Sequence, residues 1–213
     1  MTRSDLTHLY FLLDRSGSMQ SIKSDIEGGF AAFVEEQRGG TGECLASLAQ
    51  FDDVYEVVYT DRPVADVPPL DLRPRNMTAL HDAMGRLVTE AGAKLAALPE
   101  DQRPGTVIVA IMTDGLENAS KEWTAPAVKA LVEDQTTTYG WEFLYMGADQ
   151  DAVEVGVGLG IPAASSVTYS RGKAKEAMAM SAGKIRQLRT DRLTAPAAAM
   201  PAFTDEERRS LAE

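Results

Sequence analysis

Asp14, Ser16 and Ser18 stand at alternate positions in the stretch LLDRSGSM, directly after an apolar run. In an extended loop that spacing turns the three side chains the same way, and Gly17 lets the backbone bend between the two serines. Two further oxygen-bearing residues hold comparable places. Asp114, in TDG, follows the run TVIVAIM, and Thr78 stands at or near the start of a helical segment in RNMTALHDA. Together they offer carboxylates from Asp14 and Asp114 and hydroxyls from Ser16, Ser18 and Thr78. Such hard donors, with few carboxylates among them, suit Mg²⁺ or Mn²⁺, which keep several waters. Soft donors are scarce: the histidines are His8 and His81, and Cys44 falls in a strand-like run. Each piece alone has a plainer reading. Ser18 could cap a helix at Ile22, TDG could be a turn, and MTAL could be a helix cap. Their joint placement, each at the right end of an element, is what points to a metal.

For these residues to meet, the elements before them must be parallel strands whose carboxyl ends share one rim. HLYFLL (8–13), TVIVAIM (106–112) and WEFLYMG (141–147) are short continuous apolar runs, as expected of strands covered on both faces. Between them the period becomes helical. Ile22, Ile26, Phe30, Phe33 and Val34 mark one helix, ended by Gly39-Gly40. Leu80, Met84, Leu87, Val88, Ala91, Leu95 and Leu98 mark another, closed by Pro99, and Trp123, Ala127, Val128, Leu131 and Val132 a third. CLASLAQFDDVYEVVYT (44–60) reads as a hairpin turning at Asp52-Asp53. The expected fold is α/β: a doubly wound, mostly parallel central sheet with one antiparallel edge hairpin strand and helices on both faces.

The expected domain spans 1–193, with a core at about 6–170 and a long helix over about 173–193. That helix either docks on a partner or packs back on the sheet. An exposed stripe at Met178, Ile185 and Leu188 would favour docking. TAPAAAMPA (194–202) reads as a linker. Thr204 to Glu207, TDEE, has capping-box spacing for a short helix, with a frayed tail as the alternative.

The net charge of -11 argues against direct binding to a phosphate backbone. The start of the chain does not read as a signal peptide, and no stretch approaches the roughly 20 apolar residues of a membrane span. A single cysteine suits a reducing compartment, so a cytoplasmic protein is expected. No P-loop pattern is present, and no residue stands out as a general base.

DRSGSM, MTALHDA and MTDGLENAS, in that order, resemble the metal-ion-dependent adhesion site of von Willebrand factor type A (vWA) domains. The resemblance covers about residues 6–170. It implies a vWA, Rossmann-like fold with metal ligands Asp14, Ser16, Ser18, Thr78 and Asp114. Ser16 and Ser18 would bind directly, Asp14 and Asp114 directly or through water, and Thr78 would enter or leave as the site changes state. One open position would take a partner's Asp or Glu carboxylate. The expected function is divalent-cation-dependent protein binding, with Mg²⁺ or Mn²⁺ as cofactor and no enzymatic activity. The alternatives are a scaffold subunit of a larger ATPase- or nucleic-acid-associated complex, and a metal-dependent hydrolase. Against the hydrolase, Ser16 lies where such enzymes usually carry a second aspartate. Arg15, Asp149 and Asp151 are candidates for the partner-binding rim, their alternative being solvated loop residues. Asp82 is expected on a helix surface or orienting a water near the metal. His81 is expected at the surface, Trp123 and Trp141 in the core, and Asn118 as a helix cap. No membrane contact is expected, and the oligomeric state is left open.

Overall fold

A computed structural model describes residues 2–148 and 150–213. The strands are β1 (Arg3–Asp14), β2 (Glu43–Phe51), β3 (Tyr55–Pro63), β4 (Pro104–Thr113), β5 (Glu142–Ala148) and β6 (Ser166–Tyr169). The α-helices are α1 (Lys23–Arg38), α2 (Leu80–Ala97), α3 (Ala125–Tyr139), α4 (Ala152–Gly158), α5 (Ala174–Arg192) and α6 (Asp205–Ala212). The sheet order is β3-β2-β1-β4-β5-β6, parallel throughout except for the antiparallel pair β2–β3. This is the expected mostly parallel α/β sheet with one antiparallel edge strand.

Alternation along β1 divides the core. Leu9, Phe11 and Leu13 pack with α1, α5 and α6 on one face, while Tyr10 and Leu12 pack with α2, α3 and α4 on the other. Phe11 meets Phe30 and Phe33 edge-on, with centroids 5.0 and 4.9 Å away. Trp141 is buried in the second layer. Trp123 is only half-buried, lying so close over Gly85 that an added Cβ would stand 2.1 Å from the indole. Only a glycine in α2 admits that ring.

The docking reading of the helix over 173–193 gives way. Met178, Ile185 and Leu188 are at most 2% exposed, because α5 lays its apolar stripe against α1 and the sheet. The stretch 194–202 is likewise no free linker. Met200 and Phe203 are buried, and α6 carries a capping box formed by Thr204 and Glu207. Lys184 Nζ donates to both Glu207 carboxylate oxygens, at 3.0 and 2.8 Å, and to the Ala202 carbonyl. Arg208 donates to the Ser166 carbonyl at 2.7 Å, so α6 is tied to β6. No helix among the described residues is long and apolar enough to cross a membrane.

His8, midway along β1, is 2% exposed, stacks on Tyr10 at 4.0 Å, and places Nε2 2.9 Å from Ser47 Oγ. Asp61 lies 3.5 Å away and Lys94 pairs with Asp61. Burial pushes the imidazole down to about 4; Lys94 adds to the depression and Asp61 opposes it. An imidazole held neutral when folded gives stability that is complete above its unfolded pKa and is lost as pH falls from about 6.5 towards 4. His8→Gln, which can keep a bond to Ser47, is expected to flatten this limb. In urea unfolding, its stability loss between about pH 7 and pH 4.5 should be smaller than the wild type's by on the order of 2 kcal/mol. Parallel losses in the two proteins would show that His8 does not titrate with folding.

Candidate metal centre

The chain leaves β1 towards β2 through α1, on one face, and leaves β4 towards β5 through α3, on the other. The loops beyond β1 and β4 therefore part, opening a crevice at the carboxyl ends of the two central strands. Asp14 is the last residue of β1 and Thr113 the last of β4. The register pairs Leu13 with Met112, which sets Asp14 beside Thr113.

Asp14 is 0% exposed. Its Oδ1 accepts the Ser16 N–H at 2.6 Å and its Oδ2 accepts the Thr113 hydroxyl at 2.5 Å. Burial raises its carboxyl to about 6; the charge of Asp114 adds to the rise, and the Thr113 and Ser16 bonds oppose it. Ser16 Oγ lies 3.1 Å from Ser18 Oγ, and Ser18 Oγ donates to Asp114 Oδ1 at 2.6 Å. Asp14, Ser16, Thr78 and Asp114 are all buried, while Ser18 and Gly17 face solvent, so the cluster opens outward on the serine side. Tyr169 lies fully buried nearby, its pKa raised by burial and further by the Asp114 and Asp14 charges.

Thr78 is brought in by lacing between loops. Gly17 N–H donates to the Asn76 carbonyl, Arg75 N–H to Arg15, and Ala79 N–H to Asp52. Asn76 has φ +60, a left-handed conformation that asparagine tolerates better than most residues. Thr78 N–H donates to Asn118 Oδ1 at 3.0 Å, and the Thr78 carbonyl accepts from the N–H groups of Asn118 and Ala119. A Cβ added at Gly115 would lie 3.1 Å from Thr78 Oγ1, 3.6 Å from Ser18 Oγ and 3.9 Å from Ser16 Oγ. Three hydroxyl oxygens therefore lie within 3.9 Å of one point, one of them bonded to the Asp114 carboxylate, with Asp14 held beside them by the Ser16 N–H and Thr113. This oxygen-only cradle fits a small hard cation. Among the described residues no group of three or more His, Cys, Asp or Glu side chains is arranged to hold an ion, so a metal here would rest on hydroxyls as much as on carboxylates.

The rim residues fare differently. Arg15 neither reaches outward nor lies exposed in a loop. It is 5% exposed, with Nε 3.1 Å from Asp52 Oδ2 and a terminal nitrogen 2.7 Å from Glu56. The physical reason is Asp52: its 0% exposed carboxylate also takes Arg75 Nε at 2.6 Å and needs cations around it. Asp151 is exposed and caps α4, accepting the Glu154 N–H at 3.0 Å. Asp149 lies outside the described residues.

Several supporting residues play parts that the sequence reading did not give them. Asp82, expected at a helix surface or on water, accepts the N–H groups of Lys121, Glu122 and Trp123 at 2.7–2.9 Å and so anchors the loop after β4. Those three bonds outweigh its desolvation and hold its pKa below the usual carboxylate value. Asn118 caps Thr78's peptide rather than a helix; the N-cap of α3 is Thr124. His81 is half-buried, 3.9 Å from Glu117. Arg171 reaches the cluster from beyond β6, 3.4 Å from Asp114 Oδ2. Thr113 alone had a readable signal, since it precedes Asp114 at a strand end.

No protein-family model and no curated protein matches the sequence. Solved structures do match in fold. Proximal thread matrix protein 1 from the mussel byssus superposes with TM-score 0.59 at 14% identity, over 85% of this chain and 46% of that one. A von Willebrand factor type A protein from Catenulispora acidiphila gives 0.56 at 14% identity, over 84% and 42%. The vWF domain of the type V pili tip protein Mfa5 from Porphyromonas gingivalis gives 0.57 at 13% identity, over 85% and 95%. The chain spans less than half the length of the first two. Identities this low speak to the fold, and the fold is that of vWA domains.

Proposed function

We propose that this vWA fold is a protein-binding module whose contact depends on Mg²⁺ or Mn²⁺ held by Asp14, Ser16, Ser18, Thr78 and Asp114. The observation that carries the reading is the gathering of three hydroxyls within 3.9 Å of one point beside Gly115, next to two buried carboxylates. A bound cation would supply positive charge and an open position for a partner's Asp or Glu carboxylate. The chain's own residues do the rest. Thr113 and the Ser16 N–H fix Asp14, Ser18 fixes Asp114, and Asn118 fixes the loop of Thr78. With a net charge of -11, the surface at large repels an acidic partner, so recognition is confined to the cation.

The surroundings support a protein as partner. Met77 and Leu116, next to Thr78 and near Asp114, are 55% and 64% exposed. Leu116 edges a groove of about 380 Å³ lined also by Leu80, Ala125, Val155 and Leu159. We read the site as binding rather than catalytic because its carboxylates are assigned to the cation and the two histidines serve elsewhere, His8 beside Ser47 midway along β1 and His81 beside Glu117. The lone Cys44, buried in β2, supports action in a reducing, cytoplasmic setting.

The test uses Mn²⁺ as a relaxation probe with acetyl-Gly-Asp-Leu-Gly-amide and its Asp-to-Asn counterpart. Water-proton relaxation by protein-bound Mn²⁺ should fall as the acidic peptide displaces water and stay constant with the amide. Equal responses to the two peptides would sink carboxylate recognition.

A further inference from the structure

We infer that Arg171 is a built-in counter-charge of the metal centre, stabilising the metal-free site and opposing entry of the cation. The inference rests on the metal reading above. Arg171 opens the short turn Arg171–Lys173 between β6 and α5. One terminal nitrogen lies 2.8 Å from Ser21 Oγ, 3.3 Å from the Ser18 carbonyl and 3.4 Å from Asp114 Oδ2. The guanidinium thus touches two of the three segments of the cluster. Its side chain is 38% exposed and the Asp114 side chain 0%. The turn that presents it is anchored, since Ser170 N–H donates to the Leu211 carbonyl at 2.8 Å and Lys173 N–H to Ser170 at 2.8 Å.

Without a metal, Asp14 and Asp114 place two negative charges in a buried cluster, and a fixed cation beside Asp114 offsets their repulsion. The same cation repels a divalent ion approaching those carboxylates. One charge therefore acts with opposite sign on the two states, lowering affinity by the sum of what it gives the metal-free site and what it costs the loaded one. Arg171 sets how much free cation the site needs before it loads.

The test titrates the full chain calorimetrically with Mn²⁺ and Mg²⁺ and measures thermal unfolding in chelator. Arg171→Met should bind either cation about tenfold tighter, because a like charge is removed. Its Tm in chelator should fall by a few degrees, and Arg171→Gln gives the same readout in a polar side chain. Arg171→Lys keeps the charge and should stay within about threefold of the wild-type affinity. If Met, Gln and Lys all weaken binding, Arg171 merely holds the loops and the inference fails. If the wild type itself takes up no cation, the metal reading fails first, and this inference with it.

Discussion

Mg²⁺ at about one hundred times its Kd is expected to raise the Tm of the wild-type chain by roughly 5–11 °C and to leave Asp14→Asn unmoved. The size follows from linkage: such an excess stabilises by about 2.7 kcal/mol, and a chain of this length shifts about 2–4 °C per kcal/mol. Asparagine is the informative substitution. Its carbonyl oxygen can accept the Ser16 N–H, and its amide can donate to Thr113 Oγ1, whose hydroxyl is already within 3.2 Å of the Gly115 carbonyl. The variant keeps the packing and loses the charge. Asp14 is fully buried beside Asp114, and its raised carboxyl shows that the charged form is disfavoured there. The variant in chelator should therefore melt no lower than the wild type. Calorimetry with and without chelator measures both. A metal shift that survives in Asp14→Asn would remove Asp14 from the ligand set.

Asp52→Ala is expected to cost about 3–5 kcal/mol, because it leaves the Arg15 guanidinium buried beside a lost partner. Asp52 also accepts the Val54 N–H at 2.7 Å and Arg75 Nε at 2.6 Å, so the turn between β2 and β3 loses its clasp as well. At about 2–4 °C per kcal/mol, Tm should fall by at least roughly 6 °C. Glu56→Gln removes the other carboxylate of Arg15, but Glu56 is 56% exposed, and that change should stay within about 1 kcal/mol. Replacing both members of the buried pair, as Arg15→Met with Asp52→Leu, should be milder than Asp52→Leu alone. Chemical unfolding of the four variants decides. A loss below about 1 kcal/mol in Asp52→Ala would show that solvent reaches Arg15 freely.

The main strands were legible because each is a continuous apolar run ending in polar residues: Leu9 to Leu13 before Asp14, and Val107 to Met112 before Thr113. Strand β6 was not. Its four residues, SVTY, are too short for periodicity, and the strand is held by α6 and β5 rather than by its own composition. Helix α4, AVEVGVG, alternates valine with other residues and mimics a strand pattern. The tail was misread by composition: alanines and prolines suggested a linker, while Met200 and Phe203 supply the anchors. In the candidate site, the side chains brought together were readable because Asp14, Ser16, Ser18 and Asp114 follow strand ends and Thr78 precedes a strongly periodic helix. Their supports were not. Asp52, Asn118 and Arg171 act across separations of 37, 40 and 153 residues, and spacing carries no trace of such pairings.

The clasp between Ser170 and Leu211 also has a meaning in time. Asp14, Thr78 and Asp114 leave the ribosome long before residue 211, and the bond from Ser170 N–H to the Leu211 carbonyl can form only once α6 exists. At about 5–20 residues per second, the forty residues from Arg171 to Leu211 take roughly 2–8 s to make. During that interval Arg171 can already meet Ser18, Ser21 and Asp114, while the turn that presents it still lacks its bond to α6. Completion of α6 therefore fixes in place a contact that the emerging chain holds more loosely.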